Sequence, residues 1–253
     1  MAGIVAVFVK YNLVMAFIII GAVMYVSGHI SRLLGKKIAG SAIAIIIGLI
    51  LAFVGGTITG EGAGGISKIP LFSGLGIMGG SMLRDYCIIS TAFGAKISEI
   101  KKAGLAGIIS LFMGVISAFI VGVVIAIMFG YNDVVSATTI GAGAVTFIVG
   151  PVTGAALGAS SDVIALSIAA GVVKSILVMI ITPLIAKQIG LNNSKSAMIY
   201  GGLMGTTSGV AAGLAATDAR LIPYGAMTAT FYTGTGCLLC PSVLFLITKA
   251  IIG

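Results

Sequence analysis

Residues 141–162 read GAGAVTFIVGPVTGAALGASSD. The stretch is apolar enough to enter a membrane, yet Gly150-Pro151-Val152-Thr153-Gly154 interrupts it, and Ser160, Ser161 and Asp162 close it. Glycine costs helix stability and proline removes an amide donor. In hydrocarbon, each backbone group freed this way has to find a partner in the protein or in a water-filled cavity. A helix broken at membrane depth therefore points to a site, where half-helix N-termini face an anion and freed carbonyls face a cation. The competing reading is a Gly/Ala-rich packing helix, because glycine and proline are frequent in membrane helices.

Composition sets the surroundings of this stretch. Of 253 residues, 59% are hydrophobic and only 8% charged, against about 25% charged in soluble domains. Mean hydropathy is +1.25. The apolar runs are helix-length rather than short and alternating, so the fold class is an all-α integral membrane protein and not a barrel. No basic region precedes the first apolar run, which excludes a cleavable signal peptide by pattern. The net charge of +8 sits mostly between apolar runs, where the positive-inside rule places it, so it is no nucleic-acid signal. Cys237-Leu-Leu-Cys240 has CxxC spacing but no second pair and no nearby His; together with Cys87 these read as packing thiols.

Apolar segments fall at about Leu13–Leu33, Ile38–Ile58, Pro70–Gly94, Ala103–Phe129, Val163–Ile185, Ser196–Thr217 and Leu221–Ile252. That makes about seven membrane helices plus the broken element, in one transmembrane domain with halves meeting near residue 130. If residues 138–161 crossed once, Lys187 and Lys195 would lie outside. A re-entrant element with its tip at Gly150–Gly154 keeps them inside with loops 32–37 and 96–102, and this reading is preferred. Lys10 on the outside counts against it. Two short echoes suggest an internal repeat of the secondary-transporter kind. Ala155-Ala156-x-x-Ala159-x-Ser161-Asp162 matches Ala211-Ala212-x-x-Ala215-x-Thr217-Asp218, and Gly79-Gly80-x-Met82 matches Gly201-Gly202-x-Met204.

A charge at bilayer depth costs roughly 2.5–3.5 kcal/mol on insertion scales, so it is normally paired or functional. Lys174, midway along its segment, either binds an anion or pairs with Asp162 or Asp218. Arg84-Asp85 is either a site pair or an interfacial snorkelling pair. Ser161-Asp162 and Thr217-Asp218 are either ligands or helix caps. The candidate substrate contacts are Thr153, Gly154, Lys174, Arg84, Thr206, Thr207 and Ser208. The candidate sodium ligands are Gly150, Ser161, Asp162 and Asp218. Few acids beside intramembrane cations suit an anionic substrate and a coupled cation held by carbonyls, hydroxyls and a carboxylate.

Three long stretches carry a resemblance: residues 141–179, residues 201–244, and MGGSMLRDYCIISTAFG at 78–94. They resemble the larger membrane subunit of the two-component malonate:sodium symporter, the MadM family. The resemblance spans nearly the whole chain. It implies uptake of malonate by sodium symport across the bacterial cytoplasmic (inner) membrane. It also implies a smaller multi-spanning partner subunit, MadL, and leaves a higher oligomer open. No cofactor is expected beyond sodium as coupling ion. The alternatives are a carrier for another small dicarboxylate, or a channel-like or structural subunit. An enzyme is disfavoured. The one histidine, His29, sits beside a basic loop, and Asp162 and Asp218 suit caps better than an acid dyad.

Overall fold

A computed structural model of the chain describes residues 2–35, 40–59, 69–75 and 97–253. All regular structure among them is helical. Residues 1–90 and 91–253 form two compact units.

In the first unit, α1 (Ala2–Lys10) leads into α2 (Asn12–Leu33), which packs on α3 (Gly40–Thr59). The two helices approach closely where a Cβ on Gly40 would lie 3.4 Å from Gly28 Cα. Asn12 Nδ2 donates to Ser73 Oγ at 3.0 Å, just past a 3₁₀ turn at Pro70–Phe72. His29 is exposed and accepts from Arg32. The expected helix at 70–94, with Arg84, Asp85, Cys87 and the first glycine echo, lies mostly outside the described residues, and Arg84 lies wholly outside them.

The second unit holds the interrupted stretch. Its elements are α4 (Ile97–Met128, broken at Gly104), α5 (Val134–Val145), α6 (Val149–Leu157), α7 (Ser161–Ile185), α8 (Ser194–Met204), α9 (Thr207–Ala215) and α10 (Ile222–Leu239). A π-helical turn, Cys240–Leu244, then leads into α11 (Phe245–Ile252). Among the described residues four helices are long and apolar enough to cross a membrane: Asn12–Leu33, Gly104–Met128, Asp162–Ile185 and Ala219–Ile252.

The elements α5 and α6 form a re-entrant hairpin. A Cβ on Gly150 would lie 2.9 Å from Gly143 Cα, and one on Gly154 would lie 2.9 Å from Thr139 Cγ2, so the two arms run antiparallel. The turn is Thr146-Phe147-Ile148. Thr146 Oγ1 accepts the amides of Ile148 and Val149, both at 3.2 Å, and thereby caps α6. The tip therefore lies ahead of Gly150-Pro151-Val152-Thr153-Gly154, which correction has a simple cause. Pro151 occupies the first turn of α6, where an amide donor has no intrahelical partner to lose.

The segment expected as a span at 196–217 is a second hairpin, α8 and α9, turning at Gly205-Thr206. A Cβ on Gly225 of α10 would meet both of its arms, at 3.2 Å from Ala197 O on one and 2.9 Å from Val210 Cγ1 on the other. Thr206 caps α9 through Gly209 N at 3.4 Å.

Neighbours along α7 give the orientation of the hairpins. Ile164 and Ser167 meet the arms of the first hairpin, and Gly171 meets its tip at Phe147. Ser175 meets the tip of the second at Thr206, and Thr182 meets its arms at Gly213 and Tyr200. The hairpins therefore enter from opposite ends of α7 and their tips meet at its middle. Each follows the same turn. Gly130 (φ 90°), just past α4, and Gly190 (φ 64°), at the end of the turn that follows α7, sit in the left-handed region that glycine tolerates. Asp133 then caps α5 through Ser136 N at 2.8 Å, as Asn193 caps α8 through Ser196 N at 2.9 Å. Thr146 and Thr206 hold equivalent tip positions. The α4–hairpin and α7–hairpin pairs are an inverted repeat offset by sixty residues (Gly130 to Gly190). The alanine echo noticed in the sequence runs four residues out of that register.

Charge separates the two ends of this unit. Lys101, Lys187, Lys195 and Arg220 lie at the end where the second hairpin enters; Asp133, Asp162 and Lys249 lie at the other. The positive-inside rule favours the first end as the cytoplasmic one. A membrane-impermeant maleimide applied to intact cells is expected to label Asn132→Cys and to spare Asn193→Cys. The reverse pattern would invert the assignment.

Candidate functional site

Lys174 stands where the tips meet. Its Nζ donates to the Val145 carbonyl at 2.8 Å and to the Tyr232 hydroxyl at 3.0 Å, and lies 4.9 Å from the centre of the Tyr232 ring. The Tyr232 hydroxyl in turn donates to Gly114 O at 3.1 Å, and its fully buried ring seals Gly205 at the second tip. One lysine–tyrosine pair thus joins α4, α7, α10 and both hairpins. The expected partners were Asp162 or Asp218, but Lys174 bonds to neither; its acceptors are uncharged.

The tips themselves are dense in directed backbone groups. Two half-helices, α5 and α8, end there with carbonyls lacking intrahelical partners. Two others, α6 and α9, begin there: the Val149 and Gly150 amides that open α6 are taken by Thr146, whereas in α9 the amides of Thr207 and Ser208 precede the capped Gly209. Each tip thus presents partial positive and partial negative charge side by side. Of the expected substrate contacts, Lys174, Thr206 and Thr207 converge here. Thr206 is buried and hydrogen-bonded to Ser175 Oγ, Thr207 is half-buried, and Ser208 is exposed. Tyr232, Val145 and Thr146 were missed. Tyr232 carried no signal in a run of threonines and glycines, whereas Thr146, a hydroxyl opening a Phe-Ile-Val-Gly-Pro run, fits an N-cap.

Apart from Gly150, whose amide donates to the tip residue at Thr146 O (3.3 Å), the remaining expected residues lie away from the tips. Gly150 and Gly154 are packing positions inside α6: Gly150 faces Ser167, and Gly154 faces Ile164 and Thr139. The backbone of Ser161 is in the first turn of α7. Asp162 is exposed in that same turn, twelve residues from Lys174 and so roughly 18 Å along the helix axis at 1.5 Å per residue. Asp218 lies at the opposite end of the unit, where it accepts from Arg220 Nη2 at 2.8 Å. That hydrogen bond holds its carboxyl below the ordinary carboxylate range, as hydrogen bonds from Ser136 do for Asp133. Asp162 and Asp218 therefore do not converge on one ion. Ser160 caps α7 and Asp218 caps the turn Ala219–Leu221, which is the capping reading of both motifs. Cys240 is buried in an apolar cluster with Val149 and Leu244, as a packing thiol.

Thr153 is wholly buried in α6 and its hydroxyl has no hydrogen-bond partner, nor has that of Thr138 in α5. An unsatisfied buried hydroxyl costs about 1–3 kcal/mol. Thr153→Val is therefore expected to raise thermal stability. If Thr153 contacts substrate, the same change should weaken apparent substrate affinity about tenfold, as loss of one hydrogen bond to a charged group implies. A melting curve beside a concentration series of uptake separates these effects.

A family profile described as the malonate/sodium symporter MadM subunit matches residues 4–252. The chain belongs to the MadM family. It is a multi-pass membrane subunit of a symporter that moves malonate with sodium as coupling ion. No curated protein and no solved structure matched the chain. For a MadM chain, an anion site beside a cation site is the minimum the chemistry demands, and the hairpin tips provide both polarities within the reach of Lys174.

Proposed function

We propose that the meeting point of the two hairpin tips is the malonate and sodium site. Lys174 takes one malonate carboxylate, the amides opening α9 with Thr206 and Thr207 take the other, and the carbonyls ending α5 and α8 face sodium. Thr153 in α6 and Arg84, which lies outside the described residues, stay as candidate contacts. The sodium role expected of Ser161, Asp162 and Asp218 has no support in their placement at the ends of the unit. The single observation that carries this reading is the Lys174 ammonium, held at mid-span by a hairpin carbonyl and a tyrosine hydroxyl without a carboxylate. A cation at that depth costs roughly 2.5–3.5 kcal/mol to insert, which an anionic substrate would offset.

The chain works with the smaller subunit MadL in a bacterial inner membrane, with its basic loops in the cytoplasm, and performs no catalysis. The inverted repeat supplies two similar hairpins, one opening toward each side, which is the geometry alternating access requires. Co-reconstitution of both subunits tests this. Sodium-driven uptake of labelled malonate should need both chains, and uptake by the larger subunit alone would exclude the two-component reading.

A further inference from the structure

We propose that the Val145 carbonyl is a sodium ligand and that Lys174 is a tethered cation holding its place until malonate draws it away. The proposal rests on the reading that the hairpin tips bind malonate, and it adds the origin of coupling at that site. Helix α5 ends at Val145, so its last carbonyls have no partner within the helix. The Ala142 carbonyl accepts from Thr146 N at 3.2 Å. The Val145 carbonyl instead receives the Lys174 ammonium from another helix. The C-terminal end of a helix carries partial negative charge, and half-helix ends of this kind coordinate sodium in broken-helix carriers. A lysine ammonium is a compact, strongly hydrated point charge. The oxygens it gathers here, one carbonyl and one hydroxyl, are the oxygens a sodium ion would take.

Both acceptors of Lys174 are neutral, and among the described residues no carboxylate pairs with it. Hydrogen bonds between two ionised groups are stronger than those to a neutral carbonyl. A malonate carboxylate therefore competes well for the ammonium and leaves the Val145 carbonyl for sodium. Sodium alone has to displace a cation fixed to the protein. Malonate alone strips a carbonyl of its partner. Only the two together satisfy every group, which is the requirement for obligatory symport. The repeat makes the device one-sided: sixty residues before Lys174 stands Gly114, which packs against the carbonyls of Gly202 and Leu203 in the second hairpin and brings no charge.

The test is equilibrium binding of radiolabelled sodium to the purified two-subunit complex, with and without saturating malonate. Wild-type protein should bind sodium at least about tenfold more tightly with malonate, the scale of one charged hydrogen bond. Lys174→Met should bind sodium that tightly without malonate, whereas Lys174→Arg, which keeps the charge, should stay malonate-dependent. Equal sodium affinity of wild type with and without malonate would overturn the proposal. So would a malonate-free Lys174→Met affinity no better than that of malonate-free wild type. In that second case, loss of malonate binding by the variant would leave the substrate site standing while the tethered cation fell. Conversely, tight malonate-free sodium binding by Lys174→Met together with wild-type malonate binding would overturn the claim that malonate draws Lys174 away, while leaving the Val145 carbonyl as a sodium ligand. Should Lys174→Met not fold, Lys174→Gln carries the same comparison.

Discussion

Replacing Lys174 by Met is expected to reduce sodium-driven malonate uptake at least about a hundred-fold while the protein still folds and reaches the membrane. Methionine keeps the unbranched stem and most of the volume, so packing against the Tyr232 ring survives. What is lost is the charge at the meeting point of the tips. A single hydrogen bond to a charged group is worth about 1.5–3 kcal/mol, and the substrate additionally loses its counter-charge in a low-dielectric site. Lys174→Arg should recover part of the activity, because charge is kept while the planar fork changes the geometry. Uptake by vesicles with matched protein levels measures both, and wild-type activity in Lys174→Met would remove the lysine from the site.

The second large effect concerns assembly. At Gly171 the tip of the first hairpin crosses α7 so closely that a Cβ would overlap Phe147 N and Cα and lie 2.7 Å from Gly143 O. All three are backbone atoms, which no rotamer change can move. Gly171→Val therefore has to push the hairpin away from α7 and with it Val145 away from Lys174. Overpacking of this kind costs about 1–3 kcal/mol where side chains can adjust, and more where backbone has to move. Loss of folded protein or a large fall in melting temperature is expected. Gly234→Ala is the matched control. Gly234 is exposed in α10 with nothing within 4 Å of its Cβ position. That change should be neutral or stabilising by up to about 1 kcal/mol through helix propensity. Equal stability of the two variants would show that the tip does not seat on Gly171.

The membrane class and the first hairpin were legible because charge and hydropathy act over whole segments. Lys187 and Lys195 belong on the same side as the earlier basic loops only if residues near 138–161 return to the side they came from. The tip was misplaced because proline is ambiguous: Pro151 reads as a break, yet it sits comfortably in the first turn of the helix that follows the break. The second hairpin passed for a plain segment because it turns at Gly205-Thr206 with no proline at all. Its signal was the turn before it, Gly190-x-Asn192-Asn193, repeating Gly130-x-Asn132-Asp133. Alanine-rich matches in another register obscured that repeat. Lys174 was legible from its depth alone, but its partners were not. Oppositely charged Asp162 and Asp218 looked natural, and only the folded chain shows Asp162 in the first turn of α7 and Asp218 capping a turn at the opposite end, while Tyr232 and a backbone carbonyl take the ammonium.

The most direct test of the site is substrate protection at a tip. In a background with the native cysteines replaced, Thr207→Cys places a half-buried thiol on the first residue of α9, beside the capping Thr206. In the two-subunit complex a small thiol reagent should modify it readily. Malonate with sodium should slow that reaction at least about tenfold, as occlusion by a bound ligand requires, while either alone protects little. A reaction rate unchanged by saturating malonate and sodium would contradict a binding site between the hairpin tips.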